Sequence, residues 1–204
     1  MFQFSTQLLA LRQLTLLALC LFMSSSAFAE FQLSQEMSGL PMMGNASVIE
    51  DPSREFTLED ILEKDWAELQ QQEQNKTVKG MTSSAWWVML DVENQTSSTI
   101  AWVLESVYTH TDYLDLYHID ANGEVTTVLT GDKRPFDQRA ISSESFAFPF
   151  ASSAHSQEKI VIRYAYDEIG MVELSMRSWD EKSFQDHSSL TYYLYGCLFG
   201  AGLF

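Results

Sequence analysis

The sequence predicts a mainly β protein, an antiparallel jelly-roll or β-sandwich domain with one short helix at its N-terminal side. Three observations carry that prediction. Hydropathy alternates with period two from about Ser83 onward, in at least seven short runs. An Asn122-Gly123 pair interrupts the alternation as a hairpin turn does. One stretch of the domain, just after Thr57, spaces its apolar residues as a helix requires.

In chain order, residues 1–29 read as an export signal. Arg12 supplies the positive region, Leu14 to Met23 the apolar region, and Ala27-Phe28-Ala29 a cleavage site before Glu30. The apolar run is too short to span a bilayer. Residues 30–46 lack periodicity and carry Gly, Pro and Met, so they read as a flexible lead-in. The domain proper is expected over 47–184.

Ser47 to Asp51 is a strand closed by Pro52. Thr57 caps the helix with Asp60 as its capping-box partner, and Leu58, Ile61, Leu62, Trp66 and Leu69 follow at helical spacing. Gln70 to Gln74 is the solvated end of that helix. Strands are then expected over Trp87 to Val92, Ile100 to Val107 and Tyr113 to Ile119. In the last of these, Leu114 and Leu116 share one face and Tyr113, Asp115 and Tyr117 the other. Val125 to Leu129 returns from the hairpin, and Ser145 to Phe150, Ile160 to Tyr166 and Met171 to Trp179 complete the set.

The C-terminal segment 185–204 reads as the start of a membrane helix. From Leu190 to Phe204 it carries no charge, with three tyrosines near its beginning and small or apolar residues after them. It falls short of the roughly 20 residues that cross hydrocarbon, so the expectation is a first transmembrane helix cut off partway.

Twelve Lys and Arg against 28 Asp and Glu give a formal charge of −16, and loss of the signal removes one more arginine. No basic patch exists to neutralise phosphates, so the charge excludes a nucleic-acid partner. It also excludes polybasic docking on anionic lipid. Apolar residues at 46% and aromatics at 13% exclude a disordered chain. Behind the signal only Cys197 remains, so no intramolecular disulfide can form.

Chemistry-bearing motifs are sparse. No phosphate loop, dinucleotide fingerprint or G-x-S-x-G elbow occurs, and no cofactor is expected. The four histidines, His110, His118, His155 and His187, show no H-x-x-x-H spacing. His110 and Asp112 could in principle hold a metal with His118, but such a cluster on a loop is more often solvated surface, and no metal is expected. What stands out is the supply of rings and guanidinium groups on strands: Trp86, Trp87, Trp102, Tyr113, Tyr117 and Trp179, with Arg134, Arg139 and Arg163. Each aromatic taken singly is ordinary core packing, and each arginine an ion pair. Together they suit a sugar, whose C–H faces stack on rings and whose hydroxyls or carboxylates accept from arginine.

An ordered set of segments resembles the second extracellular domain type of bacterial seven-transmembrane receptors with diverse intracellular signalling modules (7TMR-DISM). The set comprises SVIEDPSREFTLEDIL from Ser47, SAWWVMLDVEN from Ser84, AWVLES from Ala101, LDLYHIDANG from Leu114 and TGDKRPFDQR ending at Arg139. FAFPF from Phe146, KIVIRYAY from Lys159 and VELSMRSWDEKSF ending at Phe184 complete it. The family commonly has an arginine two residues after the tryptophan of the second segment, where Met89 stands here. The resemblance implies a periplasmic jelly-roll sensor, exported and held at the inner membrane. It implies a small-molecule ligand, a sugar or sugar acid among the candidates, and no catalysis by this chain. The remaining helices and the output module of a full receptor, such as a diguanylate cyclase or histidine kinase, are absent from this sequence. Trp87, Trp102, Tyr117, Arg139, Arg163 and Asp132 are the candidate ligand-binding residues, although Asp132 also suits the Thr130-Gly131-Asp132 turn. The alternatives are a periplasmic protein-interaction module and, more remotely, an exported hydrolase.

Overall fold

A computed structural model describes residues 30–64, 66 and 77–202. The export signal at 1–29 and the Gln/Glu-rich run at 70–74 lie outside the described residues. Twelve strands occur among them: β1 (Phe31–Gln32), β2 (Ser38–Pro41), β3 (Ala46–Asp51), β4 (Val78–Thr82), β5 (Ala85–Asn94), β6 (Ile100–Ser106), β7 (Tyr113–Ile119), β8 (Val125–Thr130), β9 (Phe146–Ser152), β10 (Ser156–Ala165), β11 (Gly170–Glu173) and β12 (Met176–Asp180). Two α-helices accompany them, α1 (Leu58–Leu62) and α2 (Glu181–Ala201).

Alternation sorts side chains between two faces, and burial follows it. On β5 the even-numbered Trp86, Val88 and Leu90 meet Trp102 and Leu104 of β6 and Phe146 and Phe148 of β9 in one core. That core lies between two sheets. One runs β1-β5-β10-β7-β8, with β3 sharing the β5 edge that β1 continues; the other runs β2-β12-β6-β9. β4 and β11 form a separate ribbon. The architecture is therefore a β-sandwich, each fully buried Leu, Ile or Val contributing roughly 1.5–3 kcal/mol.

The hairpin forms where Asn-Gly predicts it. Gly123 adopts φ +84° and donates its backbone N–H to Asp120 O at 2.9 Å, while Asp120 Oδ1 accepts from the amides of Asn122 and Glu124. The capping box at α1 is also present. Thr57 Oγ1 accepts from the Asp60 amide at 3.3 Å, and Asp60 Oδ2 accepts from the Thr57 amide at 2.9 Å.

Residues 30–46 are not a flexible lead-in. β1 pairs in parallel with β5, aligning Phe31 with Val92, and β2 pairs with β12. Phe31, Leu33, Met37, Met42 and Met43 are all buried. Their contacts are with strands far along the chain, so no local period announces them. The run Met171 to Trp179 likewise divides in two. Leu174 donates to Thr77 O and Val107 to Ser175 O as the chain leaves the β4–β11 ribbon for the four-stranded sheet.

Helix α2 starts at Glu181, ahead of the boundary expected at 185, because Asp180 caps it: its Oδ1 accepts from the Ser183 amide at 2.8 Å. The first turns lie on the outer face of the four-stranded sheet. Phe184 is buried with Val103, Ala147 and Trp179, and the His187 ring stacks on Trp179 at 4.5 Å. Beyond them Leu190, Tyr193, Leu198 and Phe199 are exposed. Among the described residues no helix is long and apolar enough to cross a membrane.

Candidate ligand-binding site

The odd-numbered residues of β5, β7 and β10 point away from the sandwich core, and register decides which of them meet. Ile49, Trp87, Arg163, Asp115 and Leu129 form one row across β3, β5, β10, β7 and β8. Ser47, Met89, Val161, Tyr117 and Thr127 form the next. Helix α1 covers the β3–β5 side of this face. Ile61 and Trp66 pack on Ile49, Trp87, Met89 and Val161, with Trp66 Nε1 donating to Ile61 O at 2.8 Å. Met89, where the family commonly carries arginine, is thus filled in as apolar packing beneath α1.

Where α1 stops covering the sheet, a cleft of about 530 Å³ opens between its first turn and the strands. Phe56 to Glu59 form one wall; Trp87, Arg163, Asp115, Tyr117, Thr127 and Val125 form the floor and the other wall. The Tyr117 ring lies nearly parallel to Trp87, with centroids 6.1 Å apart and planes at 18°. The Arg163 guanidinium lies 5.8 Å from the Trp87 ring centroid, and its Nη1 is 3.5 Å from Asp115 Oδ2. The other oxygen of Asp115 accepts from Arg134 Nη1 at 2.5 Å. Burial, and then the neighbouring Asp115 charge, push the Tyr117 phenol above its ordinary pKa, so it remains a hydrogen-bond donor. Trp87 is almost wholly buried, yet its indole N–H has no partner among the described residues.

Three of the six candidate residues, Trp87, Tyr117 and Arg163, therefore come together. The other three do not join them. Trp102 is fully buried between the sheets, where its Nε1 donates to Ser152 Oγ at 3.0 Å. Arg139 and Asp132 pair at 3.5 Å within the β8–β9 loop. There Arg139 also donates to Ser143 O at 2.7 Å and lies between the rings of Phe136 and Phe146. Its place is to close that loop. Asp115 belongs to the cleft but was not among the candidates; its position between Tyr113 and Tyr117 on one face was the available signal. Thr127 and Phe56 carry no such signal.

The residues of the cleft suit binding rather than reaction. Rings, a guanidinium, an already paired carboxylate and a hydroxyl can grip a small polar molecule. The Ser-His-acid set elsewhere in the molecule is arranged wrongly for a nucleophile: Glu158 stands between Ser152 and His118, so the imidazole cannot take the serine proton directly.

Fold and site define a β-sandwich domain with a cleft on one outer sheet face. The model of the 7TMR-DISM extracellular 2 family matches residues 43–179, and the chain belongs to that family of extracellular sensor domains. Comparison with curated proteins finds no match. Among solved structures, an exo-β-1,3-galactanase from Phanerochaete chrysosporium with galactose is similar at 11% identity and TM-score 0.26, covering 50% of this chain and 26% of that one. A variant of that enzyme with β-1,3-galactotriose is similar at 10% identity and TM-score 0.25, covering 71% and 28%. The chain thus spans little more than a quarter of the length of either.

Proposed function

We propose that this protein is a periplasmic ligand-sensing domain of a bacterial seven-transmembrane receptor, and that its ligand is a carbohydrate or carbohydrate derivative held in the cleft beside α1. The observation that carries the reading is the convergence of Trp87, Tyr117 and Arg163, from three strands, on one cleft in a chain of a sensor family. Tyr117 offers a partly exposed ring for the C–H face of a sugar, and Arg163 and Asp115 offer donors and acceptors to its hydroxyls. The acidic composition, formally −16 over the full sequence, is consistent with solubility outside the cytoplasm. The apolar end of α2 serves as the membrane-directed element in this reading.

A ligand acts on a receptor only if it favours one of two conformations. Here α1 forms one wall of the cleft and the strands the other, so a bound sugar would change how firmly that helix is held. The test is calorimetric titration of the purified protein with a panel of neutral sugars and sugar acids. Saturable binding that is weakened about tenfold in Tyr117→Ala supports the reading, and a panel without binding defeats it.

A further inference from the structure

The three arginines singled out by the sequence are held very differently. Arg134 Nη1 donates at 2.5 Å to Asp115 Oδ1 and at 2.6 Å to Thr130 O. Arg139 donates at 2.7 Å to Ser143 O and is flanked by two rings. Arg163 alone among them has only long contacts, 3.5 Å to Asp115 Oδ2 and 3.3 Å to Arg54 O. It is also the arginine that lines the cleft. Around Asp115, two guanidinium groups share one buried carboxylate.

We propose that Arg163 reads a carboxylate on the ligand, so that the cleft selects sugar acids over the corresponding neutral sugars. The inference rests on the preceding reading of the cleft as a carbohydrate site. A planar guanidinium forks onto a carboxylate through two parallel N–H···O bonds, a better match than its long contacts at rest. The exchange leaves no charge stranded, because Asp115 keeps Arg134 when Arg163 turns to the ligand. Asp51, the other buried carboxylate of this region, is occupied by the Ser53 hydroxyl and the amides of Arg54 and Phe56 and does not compete. Glu59, on the α1 wall, is exposed, so water and salt screen its repulsion of an anionic ligand. The Tyr117 hydroxyl, which lines the cleft, adds a further donor.

The experiment compares galacturonic and glucuronic acid with galactose and glucose by calorimetry, on the wild-type protein and on Arg163→Gln and Arg163→Lys. The expected result is that at least one acid binds wild type about ten- to a hundredfold more tightly than its neutral counterpart, as a charge-assisted pair supplies. That ratio collapses toward one in Arg163→Gln and is partly kept in Arg163→Lys. Equal affinities for acid and neutral sugar in wild type overturn the inference while leaving the carbohydrate reading intact. Absence of all binding overturns both. The wild-type comparison decides the matter even if a variant fails to fold.

Discussion

His118 and Glu158 lie on neighbouring strands of one sheet, and their contact reaches across to the other. His118 Nε2 is 2.9 Å from Glu158 Oε2, which also accepts from Ser152 Oγ of β9 at 2.8 Å, while Ser156 Oγ donates to Oε1 at 3.2 Å. Ser152 in turn accepts from Trp102 of β6. One buried carboxylate thus ties β7 and β10 to β9 and, through a hydroxyl, to β6. Burial pushes the Glu158 carboxyl up, but the hydrogen bonds from His118 and Ser152 and the His118 charge outweigh it and hold it below its ordinary value of 4.5. A depressed carboxylate stabilises the fold in full above its ordinary pKa and loses that contribution as pH falls through the lower folded value. Urea titrations should show wild type losing stability below about pH 4.5. Glu158→Gln should be weaker by about 1–3 kcal/mol at pH 7 and should show a smaller acid loss. Parallel acid limbs for the two proteins would count against this assignment.

Stacking on Tyr117 should contribute equally to the binding of acidic and neutral sugars. Tyr117 contributes a partly exposed ring, braced by Trp87 at 6.1 Å. Tyr117→Ala should weaken binding of acids and neutral sugars alike by about tenfold. Tyr117→Phe, which keeps the ring, should retain most of the affinity. Trp87 is the poorer choice for this test, since removing so large a buried side chain costs about 3–5 kcal/mol of stability by itself.

Much of this was legible from local pattern. The Thr57 capping box, the Asn122-Gly123 hairpin and the split of Leu114 and Leu116 from Tyr113, Asp115 and Tyr117 each depend on residues within a few positions of one another. The row Trp87–Arg163–Asp115 does not. It exists because β10 pairs with both β5 and β7 in one register, and a shift of one residue would turn Arg163 inward. Trp102 and Trp87 are equally aromatic strand residues in the sequence, and only their sheet and face separate a core residue from one at the cleft. Residues 30–46 were illegible for a related reason: Phe31 and Met37 find their partners in β5 and at Asp180, far along the chain.

Gly131 follows β8 in a conformation reserved for glycine, with φ +133°. A Cβ there would sit 2.2 Å from the Asp112 carbonyl oxygen, which is backbone and cannot swing away. The turn it allows lets the Asp132 amide reach Thr111 O at 2.8 Å and brings the β8–β9 loop against the β6–β7 loop. Gly131→Ala should therefore destabilise the protein by at least about 2 kcal/mol in chemical denaturation. Asp132→Ala, which leaves the backbone free to keep the turn, should cost much less, since the Asp132 carboxylate is partly exposed and its contact with Arg139 is long.

Asp180 ends β12 and begins α2 with no linker between them, so the sheet and the helix share a residue. Its Oδ1 caps the helix at the Ser183 amide, its Oδ2 accepts from the Met37 amide at 3.1 Å, and its own amide donates to Met37 O at 2.8 Å. Burial raises the Asp180 carboxyl, but the bonds from Ser183 and Met37 prevail and hold it below the usual carboxylate range. Asp180→Ala should lower stability by about 1–2 kcal/mol. Asp180→Asn, whose amide oxygen can still accept at the N-cap, should recover part of the loss. Because the backbone bonds of β12 to β6 remain in both variants, the damage should be local. Hydrogen exchange should accelerate over Glu181 to Ser188 and around Met37, while β5 and β10 stay protected. Uniform acceleration across both sheets would show instead that the cap supports the whole sandwich rather than the junction through which a sheet can move a helix.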